Sequence, residues 1–389
     1  MAIVPFLLSL GTKTCSMKKL HPFGCAAFCL EGWNDRLMPC AAMLFFVFKE
    51  TRTRSAWFSA KYCGISLRYG ITRSHHAILS LQSASSEAGK GGRFLDNLLD
   101  HCTLCPRRCG VSRNAGARGF CGAGRAVRVA RTMLHRWEEP CLIGEYGAGA
   151  VFFAHCTLRC VYCQNHTVSH GGRGHDMTEE ELAACFLELQ RQGAATLDLV
   201  TPTHYTPQIL RALGAAREAG LNLPVVWNTG GYETAENIGR LAGAVDIYLP
   251  DLKYDREESG RLYSAAPDYP ATARAAVTAM VKQVGAVRFA PGGQLLRGVL
   301  VRHLILPGHR HESIALVRWL WENFGDAVQL SLMRQYTPLH RAAAFPPLHR
   351  RLTTFEYESV VDAARDCGMT RVYVQGAEAV GEEYVPAFE

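Results

Sequence analysis

From about Ala148 onward, apolar runs alternate with amphipathic segments. That alternation predicts an α/β architecture with a parallel sheet, each strand followed by a helix. Strand candidates are Ala148–His155, Thr196–Thr201, Leu223–Asn228, Val245–Pro250, Gly298–Pro307, Ala327–Arg334 and a short Arg371–Gln375. Each is a near-continuous β-branched or aromatic run, as strands covered on both faces require. Between them, apolar residues at three- and four-residue spacing predict helices over roughly 178–193, Pro207–Ala219, Thr234–Ala242, Ala271–Val284, Ser313–Phe324 and Thr353–Asp366. Thr178-Glu179-Glu180-Glu181 reads as a capping box opening the first of these. Six strand-helix units and a last strand suit a partial (β/α)6, TIM-like barrel over residues 146–376.

Polar signatures follow the strands. They are the cysteines after the first, Thr201-Pro202-Thr203-His204-Tyr205 after the second, and Asn228-Thr229-Gly230-Gly231-Tyr232-Glu233 after the third. Asp251-Leu252-Lys253-Tyr254, Gly308-His309-Arg310-His311-Glu312 and Gln335-Tyr336-Thr337-Pro338 follow the next three. Any one polar loop is ordinary. Six in register predict a shared active rim, because the loops after the strands build the active face of a β/α barrel.

Composition divides the remaining chain. The net charge of +7 is carried by residues 1–85, where ten Lys or Arg meet three acids (Glu31, Asp35, Glu50), so the body has no overall basic bias. Residues 1–90 read as an N-terminal extension, either an organellar transit peptide or a segment of no structural consequence. The expected location is accordingly cytoplasmic, or mitochondrial or plastid if the extension is a targeting signal. Residues 91–145 form a Cys- and Arg-rich lobe and 377–389 a tail. No apolar run reaches the roughly 18–20 residues that span a bilayer, so no membrane partner is expected. Fifteen cysteines in a chain of 389 residues, with no clean secretory signal, point to reduced thiols rather than a disulfide framework.

Cys156-Thr157-Leu158-Arg159-Cys160-Val161-Tyr162-Cys163 has the spacing C-x3-C-x2-C at the end of the first strand. Three thiolates on one short loop can converge on an inorganic centre, and soft sulfur favours iron-sulfur or zinc. Zinc would need a fourth protein ligand, which His155 or His166 could supply. An iron-sulfur cube on three cysteines instead leaves one iron open to an external ligand. No G-x4-G-K-[ST] or H-E-x-x-H motif is present, and the glycine pairs lack a dinucleotide setting.

This motif, with Tyr162 between its last two cysteines, resembles the signature of radical S-adenosylmethionine enzymes. The likeness narrows to the branch named after pyruvate formate-lyase activating enzymes. It is carried by Cys102 to Gly124, Trp137-Glu138-Glu139-Pro140-Cys141, Cys163-Gln164-Asn165, Thr201 to Tyr205, Asn228 to Glu233, Asp246 to Tyr254, Tyr263 to Pro270, Arg302 to Gly308 and Leu332 to Pro338. The resemblance implies a [4Fe-4S] cluster on Cys156, Cys160 and Cys163, with S-adenosylmethionine on the fourth iron and Tyr162 near its adenine. It implies a 5'-deoxyadenosyl radical that abstracts hydrogen, an electron donor such as flavodoxin or ferredoxin, and a glycyl radical protein, a small molecule or another macromolecule as substrate. The chain departs from the pattern where many relatives carry Gly-Gly-Glu after the second strand. Here Thr201, Thr203 and His204 offer a substitute contact for the cofactor, while Asn228, Asp251, Lys253 and Arg302 are polar rim candidates.

A second set, Cys102-x2-Cys105-x3-Cys109-x11-Cys121, lies in a segment with little periodicity. Zinc or an auxiliary iron-sulfur centre is one reading, and unligated buried thiols are the other. Eight arginines (Arg107, Arg108, Arg113, Arg118, Arg125, Arg128, Arg131, Arg136) accompany it without an acid. They raise a rival reading, a zinc-stabilised nucleic-acid-binding protein, which the absence of interleaved aromatics disfavours. His75 and His76, His309 and His311, and His340 and His349 read as loop histidines, and Cys185 and Cys367 as small buried hydrophobes.

Overall fold

The computed structural model describes residues 97–376, Leu95 and, before these, the backbone of strand segments between Ser9 and Gln82. The chain divides into two compact units, Met1–Phe94 and Leu95–Glu389. The first contains paired strands, including an antiparallel four-stranded sheet of Val47–Glu50, Ala56–Tyr62, Ile65–Ile71 and Ala77–Gln82. The side chains of that unit, including His75, His76 and its dispersed cysteines, and the tail 377–389 lie outside the described residues.

The second unit is built on one ten-stranded sheet. In chain order its elements are β1 (Val127–His135), α1 (Pro140–Ile143), β2 (Ala148–Phe153), α2 (His166–Ser169), β3 (His175–Met177), α3 (Glu179–Arg191), β4 (Leu197–Val200) and α4 (Thr206–Glu218). There follow β5 (Val225–Thr229), α5 (Ala235–Arg240), β6 (Ile247–Pro250), α6 (Glu257–Ser264), α7 (Tyr269–Val284), β7 (Arg288–Phe289) and β8 (Leu295–Leu304). The last are α8 (Arg310–Phe324), β9 (Gln329–Met333), α9 (Thr354–Cys367) and β10 (Val372–Val374). The strand order is β3-β1-β2-β4-β5-β6-β8-β9-β10, with β7 paired to β8. From β2 to β10 every neighbouring pair along that path is parallel.

The expected strand-helix units are therefore all present, and the sheet is an open arc that does not close into a barrel. Three strands escaped the periodicity, among them the two-residue β7, which pairs antiparallel with β8. β1 pairs antiparallel with β2, and β3 pairs antiparallel with β1. Arginines interrupt the apolar positions of β1, so Val127–Ile143 read as lobe although the fold draws it into the sheet. The capping box at Thr178 forms, with Glu181 N–H donating to Thr178 Oγ1 at 3.1 Å and Thr178 N–H to Glu181 at 2.8 Å. Thr353 and Glu356 make a second one at α9.

Strand register sorts the side chains onto two faces. Leu199, Trp227, Tyr248, Val299, Val301 and Leu330 point outward into a large core with helix residues such as Phe186, Leu213, Val277, Leu316 and Val360. The opposite row runs Ala150, Asp198, Val226, Ile247 and Gly298 through paired positions, and Arg302 and Ser331 through the next. At the end where the strands begin, that inner face is apolar: Val226, Ile247, Leu249, Leu295 and Leu300 pack with Cys141 and Leu142 of α1. No helix among the described residues is long and apolar enough to cross a membrane.

Candidate active site

Towards the carboxyl ends of the strands the inner face turns polar. Arg302 of β8 donates to Asp251 Oδ1 at 3.0 Å, to Glu138 Oε1 at 3.2 Å and to Asn228 Oδ1 at 2.6 Å. Lys253 Nζ reaches Asp251 Oδ2 at 2.7 Å. Asn228 Nδ2 in turn donates to Asp198 Oδ2 at 3.2 Å and to Glu138 Oε2 at 3.3 Å. Among the described residues the carboxyls of Glu138, Glu139, Asp198 and Asp251 share the cations Lys253 and Arg302, an excess of carboxyls in a buried region.

The titrations follow from that imbalance. Burial opposes the charge of Asp251, but Lys253 and Arg302 outweigh it and hold the carboxyl below its usual range. Burial and then the neighbouring Glu138 push the fully buried Asp198 carboxyl well up. Burial and Glu138 also push Glu139 up to about 7. Burial works against the Lys253 ammonium, yet Asp251 and then Cys160 hold it charged.

Above this network lies the thiol loop, which leaves β2 through His155, a residue with φ of 73°. The His155 imidazole packs against Gly172 so tightly that a Cβ there would fall 2.6 Å from the ring. Burial, then Arg118 and Arg128, hold this imidazole down at about 4, so it is neutral. Cys160 is buried, and Cys156 and Cys163 are half-buried. Cys160 Sγ stands 3.0 Å from Ser264 Oγ and Cys163 Sγ 3.1 Å from Ser169 Oγ, while Leu158 N–H donates to Cys156 Sγ at 3.4 Å. Burial and then Cys160 push the Cys156 thiol to about 12 and Cys163 to about 11. The three therefore sense one another, and a soft cation would supply the counter-charge that the loop lacks. Among the described residues no three His, Cys, Asp or Glu side chains are already turned onto one metal-sized point.

Tyr162 sits in the same wall. Its hydroxyl is 2.7 Å from that of Tyr254, which is 2.7 Å from Ser264 Oγ, giving a hydrogen-bonded string from Tyr162 to Cys160. Asn228 lies in the ion network. Thr201 has φ of 59° and donates its N–H to the Asn228 carbonyl at 2.8 Å. Thr203 and His204 turn the other way. Thr203 Oγ1 donates to Glu233 Oε1 at 2.6 Å, and His204 Nε2 meets the Ala154 carbonyl at 2.8 Å. Glu233 also accepts from Trp227 at 3.0 Å, Thr229 at 2.9 Å and Asn237 at 3.3 Å, so it ties the loops after β4 and β5 together. His166 Nδ1 contacts the Cys163 carbonyl at 3.3 Å, and its ring stacks on His340 at 4.4 Å.

Asp198 went unnoticed in the sequence, and Glu138 and Glu139 entered only as part of the family likeness, with no place in the site. An aspartate in the otherwise apolar β4 was the available signal. Charge of the other sign is absorbed by packing. Arg113 is buried and donates to the His204 and Gly124 carbonyls; Arg107 donates to the Thr157 carbonyl at 3.0 Å. Arg108 pairs with Glu236 at 2.7 Å and Arg128 with Asp176 at 2.8 Å. Arg118 and Arg125 also bond within the lobe. Much of the arginine set thus docks the lobe and the sheet onto the rest of the unit. Two surface depressions of about 270 Å³, one beside Cys185 and one beside Arg217 and Asp246, lie on the helix surface and at the strand-beginning end. Neither touches the thiol loop.

No protein-family model matches the chain. Over 288 residues it is 28% identical to the uncharacterized protein MJ0674 of Methanocaldococcus jannaschii, covering 71% of this chain and 78% of that one. Among solved structures it is similar to Streptococcus suis SuiB bound to the precursor peptide SuiA, at 14% identity and a TM-score of 0.38, covering 58% of this chain and 47% of that one. SuiB bound to S-adenosylmethionine gives 14% identity and a TM-score of 0.38, again over 58% of this chain, and 49% of that one. The chain spans about half the length of the SuiB structures it matches, and so loose a superposition transfers neither substrate nor mechanism.

Proposed function

We propose that the chain is a radical S-adenosylmethionine enzyme that abstracts hydrogen from a substrate at the thiol rim. The observation that carries this reading is a C-x3-C-x2-C loop at the carboxyl end of the first parallel strand, with the buried Asp251–Lys253–Arg302 network facing it. Cys156, Cys160 and Cys163 would hold a [4Fe-4S] cluster, and three soft donors on one loop fit that group with one iron to spare. With S-adenosylmethionine bound there, the cluster supplies, on one-electron reduction by a donor of the flavodoxin or ferredoxin kind, a 5'-deoxyadenosyl radical.

The chain's own residues supply position and dryness. Lys253 presents a fixed ammonium near Cys160, where a carboxylate of cofactor or substrate can be held. Tyr162, Tyr254 and Ser264 orient the loop through their hydrogen-bonded string, and Leu158, Val161 and Tyr162 keep water from it. Burial raises Asp198 while Lys253 and Arg302 hold Asp251 down, so the inner face carries two carboxyls of contrasting proton affinity. A glycyl radical protein as the substrate is the finer reading that the resemblance suggests, and a small molecule is the other.

The test is anaerobic reconstitution with iron and sulfide, then dithionite and S-adenosylmethionine. Brown protein and 5'-deoxyadenosine are expected, and both are lost in Cys160→Ala. Colourless protein that holds only zinc overturns the reading. Deuterium transfer from labelled candidates into 5'-deoxyadenosine separates a glycyl protein from a small molecule.

A further inference from the structure

The chemistry proposed for the rim leaves four thiols of the lobe unused. Residues 101–126 form turns and loops without helix or strand. Their separate apolar cluster is small: Leu98, Leu99, Leu104 and Cys102, with Leu95, Cys109 and Val111 against it. A segment so poor in core needs a cross-link to hold one conformation.

The backbone already folds the four cysteines together. Cys102 N–H donates to the Val111 carbonyl at 3.1 Å and Gly110 N–H to the Cys102 carbonyl at 3.0 Å, which lays Cys109 beside Cys102. Gly119, two residues before Cys121, lies so close to Cys109 that a Cβ there would fall 2.4 Å from its sulfur. Cys102, Cys105 and Cys121 are buried and Cys109 is partly so. Burial, the largest effect, pushes the Cys102 and Cys105 thiols up, Cys105 to about 12, and the neighbouring cysteines add to it, so the sulfurs lie within range of one another. A backbone N–H two residues on serves three of the sulfurs: Leu104 for Cys102, Arg107 for Cys105 and Ala123 for Cys121, the last at 3.4 Å.

We propose that Cys102, Cys105, Cys109 and Cys121 form a closed four-thiolate zinc site that staples the lobe. Four sulfurs complete the tetrahedron that zinc prefers and leave no open position, and binding releases the thiol protons. Closing the site turns the sulfurs from backbone partners onto the ion, on loops whose path is already set. The staple also shapes the rim. Phe120, next to Cys121, lies between the guanidinium groups of Arg107 at 3.9 Å and Arg159 at 4.7 Å, and Arg159 belongs to the C-x3-C-x2-C loop.

The test uses the full chain carrying Cys156→Ser, Cys160→Ser and Cys163→Ser together, so that no metal at the rim is counted. After incubation with Zn²⁺ and dialysis, about one zinc per chain is expected to remain. Adding Cys102→Ser and Cys121→Ser should abolish it. Co²⁺ in place of zinc should give a thiolate-to-metal charge-transfer band in the triple variant, a readout that survives even if the five-fold variant fails to fold. Absence of stoichiometric metal and of that band in the triple variant overturns the site, as does zinc retained without Cys102 and Cys121. Iron found at these four cysteines in place of zinc overturns the assignment of the ion. Failure at the rim shows up separately, as loss of iron that depends on Cys160.

Discussion

The two cysteine sets of this chain differ in what surrounds them more than in their number. The set at 102–121 is wrapped in its own turns, with backbone N–H groups at its sulfurs and a buried arginine beside it. The set at 156–163 hangs from the end of a parallel strand and faces a network of acids and cations. One set sits among turns of its own segment; the other stands beside the buried Lys253 and its ion network. On the two readings proposed above, similar ligand chemistry would serve once as a staple and once as a working edge, and the residues around it decide which.

Four substitutions or titrations can break or sharpen that contrast. The largest effect is expected for Cys160→Ala: 5'-deoxyadenosine formation falls to background while the lobe keeps its zinc, seen by product chromatography and metal analysis on the same sample. Next is Arg302→Met. Its side chain is only 16% exposed, and its loss takes the cation from Glu138 and leaves Asp251 with Lys253 alone. A buried pair broken from one side costs about 3–5 kcal/mol, measurable by denaturant unfolding.

The third test is pH. Glu139 is held up at about 7, whereas a carboxyl in the unfolded chain titrates near 4.5, so the native state keeps a proton that the unfolded chain has lost. The stability from this group is full at low pH and declines as pH rises from 4.5 through 7, by an amount on the order of 3 kcal/mol. His155 has the opposite sign, because its folded value of about 4 lies below 6.5, and its contribution is lost as pH falls through that window. Glu139→Gln should remove the decline towards neutral pH, as stepped-pH denaturation curves will record. The smallest effect is expected for Phe120→Leu, which removes the ring between Arg107 and Arg159. It should cost about 0.5–1 kcal/mol and leave both metal contents unchanged.

How far the residues announced this arrangement depends on the kind of signal. The parallel strands and their helices were legible because continuous apolar runs and three-to-four spacing are local properties. Thr178 with Glu181 announced a helix start for the same reason. The three cysteines of the rim were legible as a spacing. β1 was not, since Arg128 and Arg131 break its apolar pattern and only its pairing with β2 makes it a strand. Thr203, His204 and Glu233 show a second limit. Their types suit a binding loop, yet tertiary packing turns them toward one another and toward the Ala154 carbonyl. Glu138 and Glu139 precede the first parallel strand in the chain, and no local pattern foretells that their segment folds into the concave side of the sheet.

That segment has one more consequence. Leu142, packed with Val226, Ile247, Leu249 and Leu300, stoppers the inner face at the end where the strands begin. That plug bars the strand-beginning end of the inner face, so on the function proposed above a substrate would reach and leave the thiol rim from the loop side alone.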